Sequence, residues 1–166
     1  VLILIMYRSL LLPVISILAN IMSLVATLGA TTLFFQNKFF ANLLGTDAGT
    51  IEPFLLVIGS SVLFGLSMDY QIFLLSSVKE SIDEGGSGVR SVEYGLSHTK
   101  SVITTAALIM IAIFSSFLIG GERIIKEFGF ALAVAVAFDA FIVRLLLIPS
   151  LLRLFGDRVW NYQKRK

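Results

Sequence analysis

Val62-Leu-Phe-Gly-Leu-Ser-Met-Asp-Tyr-Gln-Ile-Phe-Leu-Leu75 is an apolar run with a single acid, Asp69, set inside it beside Tyr70. No basic residue occurs between Lys38 and Lys79, so no cation near in sequence accompanies that carboxylate. If the run crosses a bilayer, the charged form is penalised by roughly 2.5–3.5 kcal/mol on insertion scales. A carboxylate at such a position marks either a task or a partner.

Composition says that the run does cross a bilayer. Of the 166 residues, 57% are hydrophobic before glycine is counted and only 14% are charged, with a mean hydropathy of +0.92. Soluble domains are about 45–50% apolar with glycine included and about 25% charged. The class is an all-α, polytopic transmembrane helical bundle. There is no cysteine, which excludes disulfide and thiol chemistry. The sequence pI of about 9.1 reflects membrane sidedness rather than a nucleic-acid surface, and no nucleic-acid partner is expected. No signal peptide is visible, and Val1 opens within an apolar run without an initiator Met, so the chain reads as part of a longer protein.

About 20 residues at 1.5 Å rise cross the hydrocarbon. By that measure the acid-bearing span covers 51–75, with Glu52 at its mouth. Complete spans are also expected at 13–35, where Pro13 suits a first helical turn, at 102–119, and at 128–148, where Pro149 ends the helix. Residues 1–6 read as the end of a further span. A polar loop occupies 36–50 and a charged turn 120–127. The longest polar stretch, 76–101, contains a glycine-rich turn and then Val89, Val92 and Leu96 at helical spacing opposite Ser91 and His98. That pattern fits an interfacial helix lying along the membrane. The tail, 150–166, is basic with Trp160 and Tyr162 as aromatic anchors.

Alternating sides places nine basic residues (Arg8, Lys79, Arg90, Lys100, Arg153, Arg158, Lys164, Arg165 and Lys166) against three (Lys38, Arg123 and Lys126). The positive-inside rule makes the loop 76–101 and the tail cytoplasmic in a multi-pass cell-membrane protein.

Three ionisable side chains lie deep in the spans: Asp69, Asp139 and Arg144. Ser61 and Gly65 share a helix face with Asp69 at four-residue intervals, and Ala131 and Ala135 do the same for Asp139. Faces of small residues let helices approach closely and should turn the acids into the bundle. Asp139 lies about 16 Å along its helix from Phe128, and Asp69 about 22 Å from Phe54, nearer the cytoplasmic side. Burial raises a carboxylate's proton affinity and a nearby cation lowers it, which is the behaviour of a proton carrier. The plainer alternatives are a structural acid at Asp69, a static Asp139/Arg144 packing pair whose spacing of five is poor for direct contact, and an ordinary interior aromatic at Tyr70.

Gly65-Leu-Ser-Met-Asp-Tyr-Gln-Ile-Phe-Leu-Leu75, followed by Lys79-Glu80, resembles a signature of MmpL-type transporters of the resistance-nodulation-division superfamily. Val102-Ile-Thr-Thr-Ala-Ala-Leu108, Lys126-Glu-Phe-Gly-Phe-Ala-Leu-Ala-Val134 and Asp139-Ala-Phe-Ile-Val-Arg-Leu-Leu-Leu-Ile-Pro149 are similar to other segments of that family. The resemblance covers nearly the whole chain and implies the C-terminal transmembrane half of a proton-driven exporter of lipids or other hydrophobic compounds. It further implies a proton relay through Asp69 and Tyr70, seconded by Asp139 and Arg144, with protons as the coupling ion and no cofactor. Its implied partners are membrane lipids, a lipidic substrate, and an N-terminal transmembrane half and porter domains that this chain does not contain. Rival roles are an accessory membrane protein of the protein-translocation or sterol-sensing type and a non-transporting scaffold. An enzyme is not expected, because His98 stands alone and no nucleophile–base pair or metal cluster can be assembled.

Overall fold

The computed structural model describes residues 11–84 and 88–155. The expected partial span at 1–6, Arg8, residues 85–87 of the glycine turn, and the tail from 156 onward with its aromatic anchors lie outside the described residues. Four helices among the described residues are long and apolar enough to cross a membrane, namely Pro13–Gln36, Pro53–Asp83, Arg90–Ile119 and Arg123–Leu151. They match the four complete spans expected from the sequence.

The order is α1 (Leu11–Gln36), a short α2 (Lys38–Leu43) within the polar loop, α3 (Pro53–Asp83), α4 (Gly88–Ser116) and α5 (Arg123–Ala137). Helix α5 passes directly into a π-helical segment, Phe138–Leu147, and then into α6 (Ile148–Phe155). Pro149 therefore does not end the helix. It lies just past the π segment, where its missing N–H and its ring both disfavour a regular α turn.

The bundle is apolar outside, and its interior sets polar side chains among apolar packing such as Leu74, Leu75, Val78 and Val143. Val14, Ile17, Leu18, Val25, Val57, Phe64, Val102, Leu108, Ile113 and Leu146 are exposed, whereas Asn20, Ser23, Thr27, Thr31, Ser67, Asp139 and Arg144 are buried. So large an apolar exterior is stable only against an apolar solvent. Ser16, Asn20, Ser23, Thr27 and Thr31 form the buried stripe of α1. Thr27 and Thr31 return their hydroxyls to carbonyls four residues back, at 2.8 Å each, whereas the buried Ser23 Oγ has no hydrogen-bond partner among the described residues. Small side chains of α5, including Ala131 and Ala135, are buried as well. Close helix approach follows from residues of that size.

At one end of the bundle the first turns of α5 fasten the loop between α2 and α3. Lys126 Nζ donates to the Leu44 and Gly45 carbonyls at 3.0 and 2.9 Å, and Arg123 Nη2 donates to the Thr50 carbonyl at 2.7 Å. The backbone N–H of Glu52, which caps α3, donates to Glu127 Oε1 at 3.0 Å. Glu127 is thus a buried member of helix α5 rather than part of a solvated turn.

At the opposite end α3 and α4 form a hairpin. With 31 residues, α3 is about 46 Å long against about 30 Å of hydrocarbon, so it extends well beyond the bilayer core. The segment expected to lie flat as an interfacial helix is instead the first half of α4, continuous with the span. Its buried residues, Ser91, Val92, Gly95 and Thr99, include a serine expected on the solvated face. The reason is the close approach at Gly95, where a Cβ would lie 2.5 Å from Val78 Cγ2.

Gly129 marks the tightest contact of α5 with α4. A Cβ there would stand 2.6 Å from both the Phe114 carbonyl oxygen and Phe117 Cβ. Because one obstacle is backbone, Gly129→Ala should destabilise the protein by about 1–3 kcal/mol, read as a lowered thermal unfolding midpoint in detergent.

Candidate functional site

The site forms where α1, α3 and the π segment cross. Arg144 Nε donates to Asp139 Oδ2 at 2.8 Å, and the two side chains are almost completely buried. On an α-helix residues five apart point about 140° away from each other, which is why their spacing reads as poor. The π segment closes its turns between residues i and i+5 and so stacks 144 over 139. The local helix geometry, which the sequence pattern did not disclose, makes the pair possible.

Ser67 of α3 completes the arrangement. Its Oγ lies 2.9 Å from Asp139 Oδ1, accepts from Arg144 Nη2 at 2.9 Å, and makes a short hydrogen bond with Asn20 Oδ1 of α1. Four polar side chains from three elements are thereby joined in the buried interior. Arg144 Nη1 has no hydrogen-bond partner among the described residues.

Tyr70 and Asp69, adjacent in sequence, take opposite environments. The Arg144 guanidinium lies over the Tyr70 ring, 5.2 Å from its centroid, a distance at which a cation is attracted to the ring face. The phenol donates to Met110 Sδ at 3.7 Å, so Tyr70 is engaged within this bundle. Asp69 is exposed on the side of α3 that no described element covers. Ser61 and Gly65 are exposed on the same helix, and a Cβ at Gly65 would meet open space. Ala131 and Ala135 are buried. Of the two stripes of small residues, one is packed and the other is open.

The stripes of small residues predict both acids inside the bundle; Asp139 is buried but Asp69 is exposed, Arg144 is buried beside Asp139, and Ser67, Asn20 and Glu127 were not among the candidates. Asn20 carried a legible signal, since it is the one amide within α1 short of its terminal Gln36. Among the described residues no group of three or more His, Cys, Asp or Glu side chains is arranged to hold a metal ion.

The MMPL family model matches residues 1–166. The chain belongs to the MMPL family. It is 40% identical to membrane protein YdfJ of Bacillus subtilis over 99% of this chain and 23% of that protein. It is 37% identical to the mycolic acid-containing lipids exporter MmpL11 of Mycolicibacterium smegmatis, over 98% of this chain and 17% of the relative. Identity is 39% to the heme uptake protein MmpL11 of Mycobacterium tuberculosis, over 96% of this chain and 16% of the relative. This MMPL chain thus spans less than a quarter of the length of these relatives.

The buried pair gives a direct test. Asp139→Asn removes the charge that compensates Arg144, and breaking a buried ion pair costs about 3–5 kcal/mol. Asp139→Asn/Arg144→Met should recover most of that loss, measured as unfolding free energy in detergent. Additive losses in the double variant would show that the two groups do not stabilise one another.

Proposed function

We propose that this chain is the C-terminal transmembrane half of a proton-motive-force-driven exporter of lipids or other hydrophobic compounds, with Asp69 as the proton-carrying group. One observation carries the reading: Asp69 is an acid at membrane depth, on an uncovered helix face, directly beside a buried polar network. An exposed carboxylate in hydrocarbon is costly and marks an ion or proton path or a partner. In this reading the uncovered face of α3 meets the N-terminal half of the same protein. The loop 76–101 and the tail face the cytoplasm, as the asymmetry of nine basic residues against three supports.

The chemistry follows from position. Asp69 is ionised when its face is hydrated and neutral when the two halves close over it, because burial disfavours the charged form. Tyr70 and Arg144 link that change to the interior: Arg144 lies over the Tyr70 ring and holds Asp139. Each proton taken up by Asp69 therefore alters the field on the Arg144–Asp139 pair, and α3 shifts against the π segment. The motion passes to extracytoplasmic domains that handle substrate. The name of the Mycolicibacterium smegmatis relative supports a lipidic cargo and outward movement. The name of the Mycobacterium tuberculosis relative supports a second reading, uptake of heme, another hydrophobic molecule.

The test uses the full-length protein in proteoliposomes with an imposed proton gradient. Asp69→Asn should abolish gradient-driven movement of substrate while leaving expression and assembly intact. Near-normal, gradient-dependent flux would overturn the reading. Loading lipid or heme on one side at a time separates export from uptake.

A further inference from the structure

Ser67 presents a problem of proton supply. Its hydroxyl has one proton and two lone pairs, and it faces three polar groups at once. Arg144 Nη2 is always a donor and takes one lone pair. Asn20 Oδ1 and Asp139 Oδ1, both within hydrogen-bond reach, then compete for the single hydroxyl proton. If Asp139 is a carboxylate, one of these two contacts has no proton in it.

We propose that Ser67 and Asn20 form a reversible hydrogen-bond adaptor that keeps the buried Asp139 fully partnered both with and without a proton. Two arrangements put a proton in every contact around Ser67. With Asp139 ionised, the amide of Asn20 turns half a revolution and donates from its NH2 group to Ser67 Oγ. Ser67 then donates to Asp139 Oδ1. With Asp139 protonated at Oδ1, the new O–H donates to Ser67 Oγ, and Ser67 donates to the Asn20 carbonyl oxygen. Arg144 keeps both of its bonds throughout. One O–H bond forms at Asp139 when a hydronium ion gives up its proton, and the same bond breaks on release. Nothing else gains or loses a proton.

The placement of the residues favours this role. Ser67 Oγ stands within hydrogen-bond distance of both Asn20 Oδ1 and Asp139 Oδ1, so one hydroxyl proton faces two acceptors. Asn20 also borders a cleft of about 490 Å³ between α1 and α3, lined otherwise by Ser60, Ser61 and apolar side chains, which gives the amide room to turn. An amide is the side chain able to present a donor or an acceptor at one place. The ionisable group that contacts Asp139 is Arg144 on its own helix, which in turn lies over the ring of Tyr70 from α3, next to Asp69 in sequence. Helix α1 has none, and neither do the residues of α4 packed there, Ile103, Ala107 and Met110. Ser67 and Asn20 are positioning residues: they act on the proton-binding group and touch no substrate.

The inference rests on the proposed proton coupling only in requiring that a proton reach Asp139, and the experiment separates the two. In the full-length protein, labelled with ¹³C-asparagine, infrared difference spectra are recorded across a pH titration. An amide band should shift together with the carboxyl band that is lost in Asp139→Asn, and the shift should vanish in Asn20→Leu. An amide band that stays fixed while Asp139 titrates overturns the adaptor, whatever the transport result. In proteoliposomes, Asn20→Leu should lower the maximal gradient-driven rate by about tenfold with the half-saturating substrate concentration unchanged, the scale of one lost hydrogen bond. Ser67→Thr, which keeps the hydroxyl, should restore the rate lost in Ser67→Ala. A wild-type pH–rate profile in Asn20→Leu also overturns the proposal. Loss of transport in Asp69→Asn beside a normal Asn20→Leu profile removes the adaptor and leaves the proton-coupling reading standing. Normal flux in Asp69→Asn with a moving amide band does the reverse.

Discussion

A guanidinium and a carboxylate 2.8 Å apart, buried where bulk water cannot solvate either, set the terms for the rest of this bundle. Taking both charges out of water carries a large desolvation cost that attraction offsets only when geometry is good and the remaining donors and acceptors are used. The π segment supplies the geometry by bringing 139 and 144 one turn apart. Ser67 supplies a partner to each, and Asn20 ties Ser67 to a third element. Without the wider turn the arginine would point toward a different neighbour, and the serine on α3 would have no reason to be buried.

This polar centre also explains the distribution of everything else. A membrane bundle gains little from hiding leucine from lipid, so its specificity rests on close packing and on polar groups that must find each other. Small and hydroxylated residues accordingly occupy much of the inner faces of α1 and α5, among buried residues such as Ile15, Phe35 and Leu132, while many other large apolar side chains are turned outward. At the loop end, Arg123, Lys126 and Glu127 hold the loop 44–52 to α5 through backbone carbonyls and one backbone N–H. Helices α1, α3 and α5 are thus joined at two levels, once through side chains and once through the main chain.

Much of this was legible in the sequence, and the failures have definite causes. Apolar run length and charge gave the four complete spans, because lipid imposes a minimum length that composition records directly. The stripes of small residues should turn both acids inward, which holds for Asp139 and fails for Asp69, whose stripe of Ser61 and Gly65 no described element covers. The contact of Asp139 with Arg144 was not legible, because a 3.6-residue period was assumed and the local period is wider. Neither was the continuity of α4, since a hydrophobic stripe cannot distinguish a surface-bound helix from one packed against a neighbour through Gly95. Glu127 falls in the charged stretch 120–127 that reads as a turn, although its partner, the N–H of Glu52, lies 75 positions away in the chain.

The open stripe of α3 has a consequence for biogenesis. A helix with an uncovered carboxylate is a poor resident of lipid, at a cost of roughly 2.5–3.5 kcal/mol, until another surface shields it. On the proposed reading, in which a second transmembrane half covers this face, Asp69 makes the solitary bundle less comfortable in the bilayer than the joined molecule. A side chain that penalises every unfinished state acts as a checkpoint on assembly, favouring the one docking that gives the acid a polar neighbour over the many that would merely bury grease against grease.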